Sequence, residues 1–196
     1  MKKHLVLTIS VLFIVSIPSY SQNQSKTDLK KEAKTIEDLT IQSLKLRQQV
    51  NPEMKNQELI NEIKILDSTL LNKVTLFLNE YGWKSKKEIG ELANMGLFLA
   101  IQHSSTEEME SFKEIIEQAY HNNKIEKSKY ALYRDRLRVR NDLPQIYGTQ
   151  YYFDEESSSF RFNKIEDFEN INKRRRKMGL PKIEKYAKQN NIALHQ

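Results

Sequence analysis

The sequence predicts a mainly α protein: a single orthogonal domain of about six to seven helices with a small β-hairpin near the C-terminus. Three observations point there. Apolar residues recur at threes and fours along most of the chain, the period of a helix buried on one face. Only five glycines and four prolines occur in 196 residues, too few for the many turns of an all-β protein. One late stretch, Gln150 to Phe162, switches to alternation on both sides of a polar turn. The expected layout is a signal over residues 1–21, an N-terminal helical extension over 22–55 and one helical domain over 56–190.

The elements follow in chain order. Lys2, Lys3 and His4 precede an apolar run from Leu5 to Ile17, and Ser19 and Ser21 occupy the small-residue positions of a cut before Gln22. This is the three-part pattern of a secretory signal, too short for a spanning helix. The chain is therefore expected to be periplasmic or secreted, without a stable membrane span once the signal is removed. Gln22 to Thr27 is polar and expected to be disordered. Leu29, Ala33, Ile36, Leu39, Thr40 and Leu44 then mark a first helix that Asn51-Pro52 should stop. A second starts near Asn56, carries Leu59, Ile63, Leu66, Leu70, Val74 and Phe77, and ends at Tyr81-Gly82.

Ser85 with Glu88 reads as a capping box opening a third helix, whose inner face is Ile89, Ala93, Gly96, Leu97 and Ala100. A fourth opens at Ser105 or Thr106 and runs to His121, and a fifth spans Ser128 to Arg140. After the hairpin, Asp167 is placed to cap a sixth helix through Met178, with Gly179 at its end and Pro181 opening a last short helix.

Composition removes several chemistries. With no cysteine there is no disulfide framework, thiolate metal site or cysteine nucleophile. The scattered glycines build neither a phosphate-cradling loop nor a nucleophile elbow. His103, His121 and His195 lack ligand spacing, so no metal and no cofactor are expected. The formal charge is +6, two units of which belong to the signal. A surplus that small suits a small polar or anionic ligand as well as nucleic acid, which is the weaker reading. Lys173 to Lys177 is a basic run on one helix, and five consecutive positions spray around the axis instead of forming a stripe.

Three features remain. His103 continues the inner stripe of the third helix at its C-terminal end, beside Gln102. Asp135, followed directly by Arg136, shares a helix face with Ala131 and Arg138. Gln145, Tyr147, Thr149 and Gln150 crowd donors and acceptors around Gly148, directly after Leu143-Pro144. In one reading His103 is a general acid/base oriented by Asp135, Arg136 fixes an anionic group, and Gln102, Gln145, Tyr147, Thr149 and Gln150 bind substrate. That describes a metal-independent hydrolase or transferase acting on a polar envelope molecule. The alternative is a non-catalytic helical module binding a peptide, glycan or partner protein through the hairpin and the Arg-rich sixth helix. In a third reading the same residues are a structural network that locks the hairpin onto the third and fifth helices.

Taken together, Tyr81-Gly82-Trp83, Gly90, Ala93, Ile101-Gln102-His103, Ala131-Leu132, Asp135-Arg136 and the block Pro144-Gln145-Ile146-Tyr147-Gly148-Thr149-Gln150 form an ordered pattern. Ile165-Glu166-Asp167, Asn172 to Arg175, Gly179-Leu180 and Tyr186 complete it. This resembles the bacterial family known as domain of unknown function 6624, from about Leu59 to Tyr186. Lys84 stands where the family commonly has proline, and Asn141-Asp142-Leu143 where a glycine often precedes the Pro-Gln step. The resemblance implies no particular reaction. It does imply that Gln102, His103, Asp135, Arg136, Gln145, Tyr147, Thr149 and Gln150 belong to one shared site.

Overall fold

The computed structural model describes residues 19–50 and 56–194. The apolar run expected to be a signal and the Asn51-Pro52 stop lie outside them. Nine α-helices and a three-stranded sheet are present among the described residues. Helix α1 is Ser19–Gln48 and α2 is Gln57–Tyr81. The Gln22–Thr27 stretch, expected to be loose, is the opening of α1. Asn56 caps α2 by accepting the Leu59 N–H, and Gly82 closes it at φ +65°.

The expected third helix is broken in two. Lys86–Ile89 forms α3 under the Ser85/Glu88 capping box, and Gly90 at φ +88° interrupts it before α4, Glu91–His103. The fourth is broken as well: α5 is Thr106–Ser111, α6 is Lys113–His121, and Phe112 lies between them. These two interruptions turn seven expected helices into nine. Helix α7 is Lys127–Arg140, α8 Ile171–Lys177 and α9 Ile183–Gln189.

Asp167 does not cap a long sixth helix. It sits at φ +44°, its carboxylate takes bonds from Asn170 and Arg174, and a short 3-10 turn, Phe168–Asn170, precedes α8. The hairpin strands are β1, Tyr151–Asp154, and β2, Ser159–Phe162, paired antiparallel with Phe153 opposite Phe160. A third strand, β3, Ile192–Ala193, joins β2 in parallel beyond the last helix. Two residues carry no period, which is why only a hairpin was expected.

Helices α1, α2 and α4 pack around Ile36, Leu70, Val74, Phe77, Leu97 and Ile101, all buried. Gly96 permits the α1–α4 approach, because a Cβ there would meet the Thr40 hydroxyl and lie 2.8 Å from Ile36 Cγ2. Met109, Ile116, Ala131 and Tyr133 extend this core through α5, α6 and α7. Helix α7 thus has one flank on the helical body, and its other flank meets the loop that leads into β1. No helix among the described residues is long and apolar enough to cross a membrane.

Candidate functional site

The loop Pro144–Gln150 is gripped by two buried charges. Asp135 on α7 is 0% exposed and accepts the N–H groups of Ile146 at 2.7 Å, Tyr147 at 3.0 Å and Thr149 at 3.0 Å. The Thr149 hydroxyl adds a fourth bond at 2.9 Å. On the carbonyl side, Arg175 of α8, also 0% exposed, donates Nη1 to Tyr147 O at 2.6 Å and Gly148 O at 2.9 Å. Its Nε reaches Pro181 O, and its guanidinium lies 4.9 Å from the centre of the Tyr186 ring. Asp135 and Arg175 make no direct ion pair. They face each other across oriented peptide groups, which carry the compensation between them.

The rest of the loop is fastened in the same way. Arg138 donates to Pro144 O at 2.5 Å and Arg174 to Ile146 O at 2.8 Å. Gln145, fully buried, gives its Nε2 to Gln150 O and Asn163 O at 2.8 Å each and receives the Gln150 N–H on Oε1. Gly148 sits at φ +66°, and a Cβ there would lie 2.9 Å from both Ile171 Cδ1 and Ile183 Cδ1. No other residue fits that conformation and that space.

A chain of bonds leads from this strap to the end of α4. Gln150 Nε2 donates to Thr149 Oγ1 at 3.1 Å, and Gln150 Oε1 accepts Arg136 Nε at 3.1 Å. Arg136 Nη1 continues to Gln102 O at 2.9 Å. Asp135, Thr149, Gln150, Arg136 and the Gln102 backbone are therefore one network, which Gln145 joins through Gln150. The Gln102 side chain is buried with Oε1 unpartnered. Tyr147 is half-buried against the helical core, and burial raises its phenol.

His103 stands apart from the strap. It is the last residue of α4, exposed at the wall of a cleft of about 330 Å³ together with Asp67, Ser68, Leu71, Ser104 and Glu108. No hydrogen bond joins it to Asp135 among the described residues, and the bonds onto the Asp135 carboxylate come from the loop. Partial withdrawal from water, then the charges of Arg47 and Arg136, push the imidazole down to about 4, with Asp67 opposing and Arg140 adding to the effect. Burial likewise pushes the Asp135 carboxyl above its ordinary value, against the loop N–H groups that pull it down.

Two further cations matter here that residue patterns did not single out. Arg140, one turn beyond Arg136, donates to Ser104 O at 2.5 Å and approaches Met109 Sδ at 3.2 Å. Arg175 was hidden inside the basic run. Its signal was position: Ile171, Arg175 and Met178 fall on one helix face, and all three are buried. Among the described residues no group of three or more acids and histidines is arranged to hold a metal ion.

Fold and site together define a small helical domain closed by a peptide strap, with a histidine-bearing cleft at one helix end. The family model for the family of unknown function DUF6624 matches residues 27–194, and the chain belongs to that family. No curated protein and no solved structure matches it.

Proposed function

We propose that this is an exported binding domain for a small anionic molecule of the cell envelope, held at the Arg136–Arg140–His103 end of α4. One observation carries the reading: Arg136 and Arg140 are both anchored by neutral acceptors alone. Arg136 is half-buried, bonds only Gln150 Oε1 and Gln102 O, and has no ion pair among the described residues. Arg140 uses Ser104 O and Met109 Sδ. The neighbouring arginines differ, since Arg47 pairs with Asp67 at 2.7 Å and Arg138 with Glu166 at 2.8 Å. Burial and Arg140 together lower Arg136, the mark of a cation lacking an opposite charge. A carboxylate or phosphate group is the ligand chemistry that relieves it, because guanidinium offers paired donors to such oxygens.

Export rests on Lys2-Lys3, the Leu5–Ile17 run and the Ser19/Ser21 step. Binding is favoured over hydrolysis or transfer because the Asp135 carboxylate is sealed behind the loop, where it reaches no substrate. A proton-transfer role for His103 would have to use Asp67 or Glu108, the acids that line its cleft.

The test is the melting temperature with inorganic phosphate, for the native chain and for Arg136→Gln. Phosphate is expected to stabilise the native chain by about 2.7 kcal/mol at a hundredfold excess over Kd. The variant should retain only the small general effect of the salt. An equal rise in both proteins would overturn the proposal.

A further inference from the structure

Helices α8 and α9 carry a charge imbalance that neither the strap nor the anion site uses. Residues 171–194 hold eight lysines and arginines against one acid, Glu184, whereas the rest of the chain holds 24 against 25. The whole positive surplus therefore lies in this last stretch. Arg174 and Arg175 are turned into the loop, which leaves Lys173, Arg176, Lys177, Lys182, Lys185 and Lys188, all exposed. None of the six makes an ion pair among the described residues. In the turn before α8, Glu166 is taken up by Arg138 and Asp167 by Arg174, so Glu169 is the acid left beside them. Asp154, Glu155 and Glu156 belong to β1 and its turn, at the opposite side of the sheet from β3, into which α9 runs.

These cations share a face. Helix α8 buries Ile171, Arg175 and Met178, and α9 buries Ile183 and Ala187. By the helical period Lys173, Arg176 and Lys177 point away from the first set, and Lys185 and Lys188 away from the second. A Cβ on Gly148 would lie 2.9 Å from both Ile171 Cδ1 and Ile183 Cδ1, so both helices turn their inner faces to one point of the loop and their outer faces away from it. Asn172 fixes one helix to the other, accepting the Ile183 N–H at 2.8 Å and donating to the Glu184 carboxylate at 3.0 Å. The run of five that spreads around the axis in the sequence is thus sorted by the fold, with Arg175 inside, Arg174 at the flank and three outside.

What accompanies the charges selects the partner. No large apolar side chain of residues 171–190 is exposed, so the face lacks the aromatic and aliphatic anchors that carry a stable protein interface. For the same reason it has no ring on which nucleic-acid bases stack. Five of the six cations are lysines, compact charges on flexible stems, where arginine is the residue for paired recognition of single phosphates. An anionic bilayer asks for neither anchors nor register, because each lysine or arginine near its surface adds its own share of attraction. We infer that the outer faces of α8 and α9 lay the protein onto a membrane surface rich in anionic lipid, by charge and without insertion.

The experiment sediments the purified protein with vesicles of phosphatidylcholine, pure or containing phosphatidylglycerol. It should bind the anionic vesicles alone and leave them at about 1 M sodium chloride, where screening reaches down to about 3 Å. The variant Lys173→Gln/Arg176→Gln/Lys185→Gln/Lys188→Gln should bind on the order of a hundredfold more weakly. Removing as many charges elsewhere, in Lys30→Gln/Lys31→Gln/Lys45→Gln/Lys87→Gln, should cost far less, and Arg136→Gln should bind as the native chain does. Because the chain has no cysteine, Gln189→Cys on α9 and Asn72→Cys on α2 each take one environment-sensitive fluorophore. Only the label at 189 should respond to anionic vesicles. The inference is overturned by equal binding to pure phosphatidylcholine, by no binding to the anionic vesicles, by equal losses in the two charge variants, by a response at 72 as large as that at 189, or by release from the vesicles to duplex DNA at equal phosphate concentration.

Discussion

At the Asp135 carboxylate, three backbone N–H groups and one hydroxyl converge on two oxygens that water does not reach. Removing it would leave those donors unmatched in the interior and Arg175 without its facing charge. Asp135→Ala is therefore expected to cost about 3–5 kcal/mol in urea unfolding. If instead its stability stayed within a few tenths of the native value, the carboxylate would not be the strap's anchor. His103 gives the pH dependence. Its folded-state value of about 4 lies below the ordinary 6.5, so the unfolded chain binds its proton first as pH falls. The contribution of His103 is complete above 6.5 and is lost progressively down to about 4, so acid weakens the fold across that window. His103→Gln should flatten this part of the stability profile, and unfolding midpoints taken between neutral pH and pH 4 check it. His103 is exposed, so solvent screens the effect and the change should be modest.

At the scale of elements, the strap joins α7, α8 and the sheet through one loop. Its amides at Ile146, Tyr147 and Thr149 should exchange with solvent only by global unfolding, as slowly as those of Leu97 and Ile101 in α4. Fast exchange there would show that the loop opens by itself. Gly148→Ala combines a positive φ with two methyl contacts at 2.9 Å, and about 2–4 kcal/mol of destabilisation is expected. Gly96→Ala is expected to disturb a different junction, forcing α1 off α4 and lowering the melting temperature without changing exchange in the loop. The two variants together distinguish the packing of the helical body from the fastening of the sheet.

For the molecule as a whole, helix positions were readable because burial on one face leaves a period. Leu59 to Phe77 shows it, and Asn56, Gly82, Ser85 and Ser105 mark helix ends through the bonds that caps must make. Gly90 and Phe112 were not readable as breaks, since apolar spacing continues across both. The loop was visible as a dense polar block, but its two anchors sit on other elements and act through backbone groups that no side-chain pattern records. Arg175 shows the limit most clearly: within a run of five cations, only its place on the same helix face as Ile171 and Met178 separated it from the solvated ones. The same arrangement separates the residues that fasten the strap, such as Asp135 and Gln145, from Arg136, half-buried and held by neutral acceptors alone, and from exposed His103. That division is tested most directly by following the His103 ring protons by NMR through a pH titration, with and without inorganic phosphate. Without the anion His103 should titrate near 4, and with it the value should move up towards 6.5, as a bound negative charge offsets Arg136 and Arg140. A His103 that titrates near 6.5 in both conditions, or that ignores phosphate, would contradict an anion site at this end of the helix.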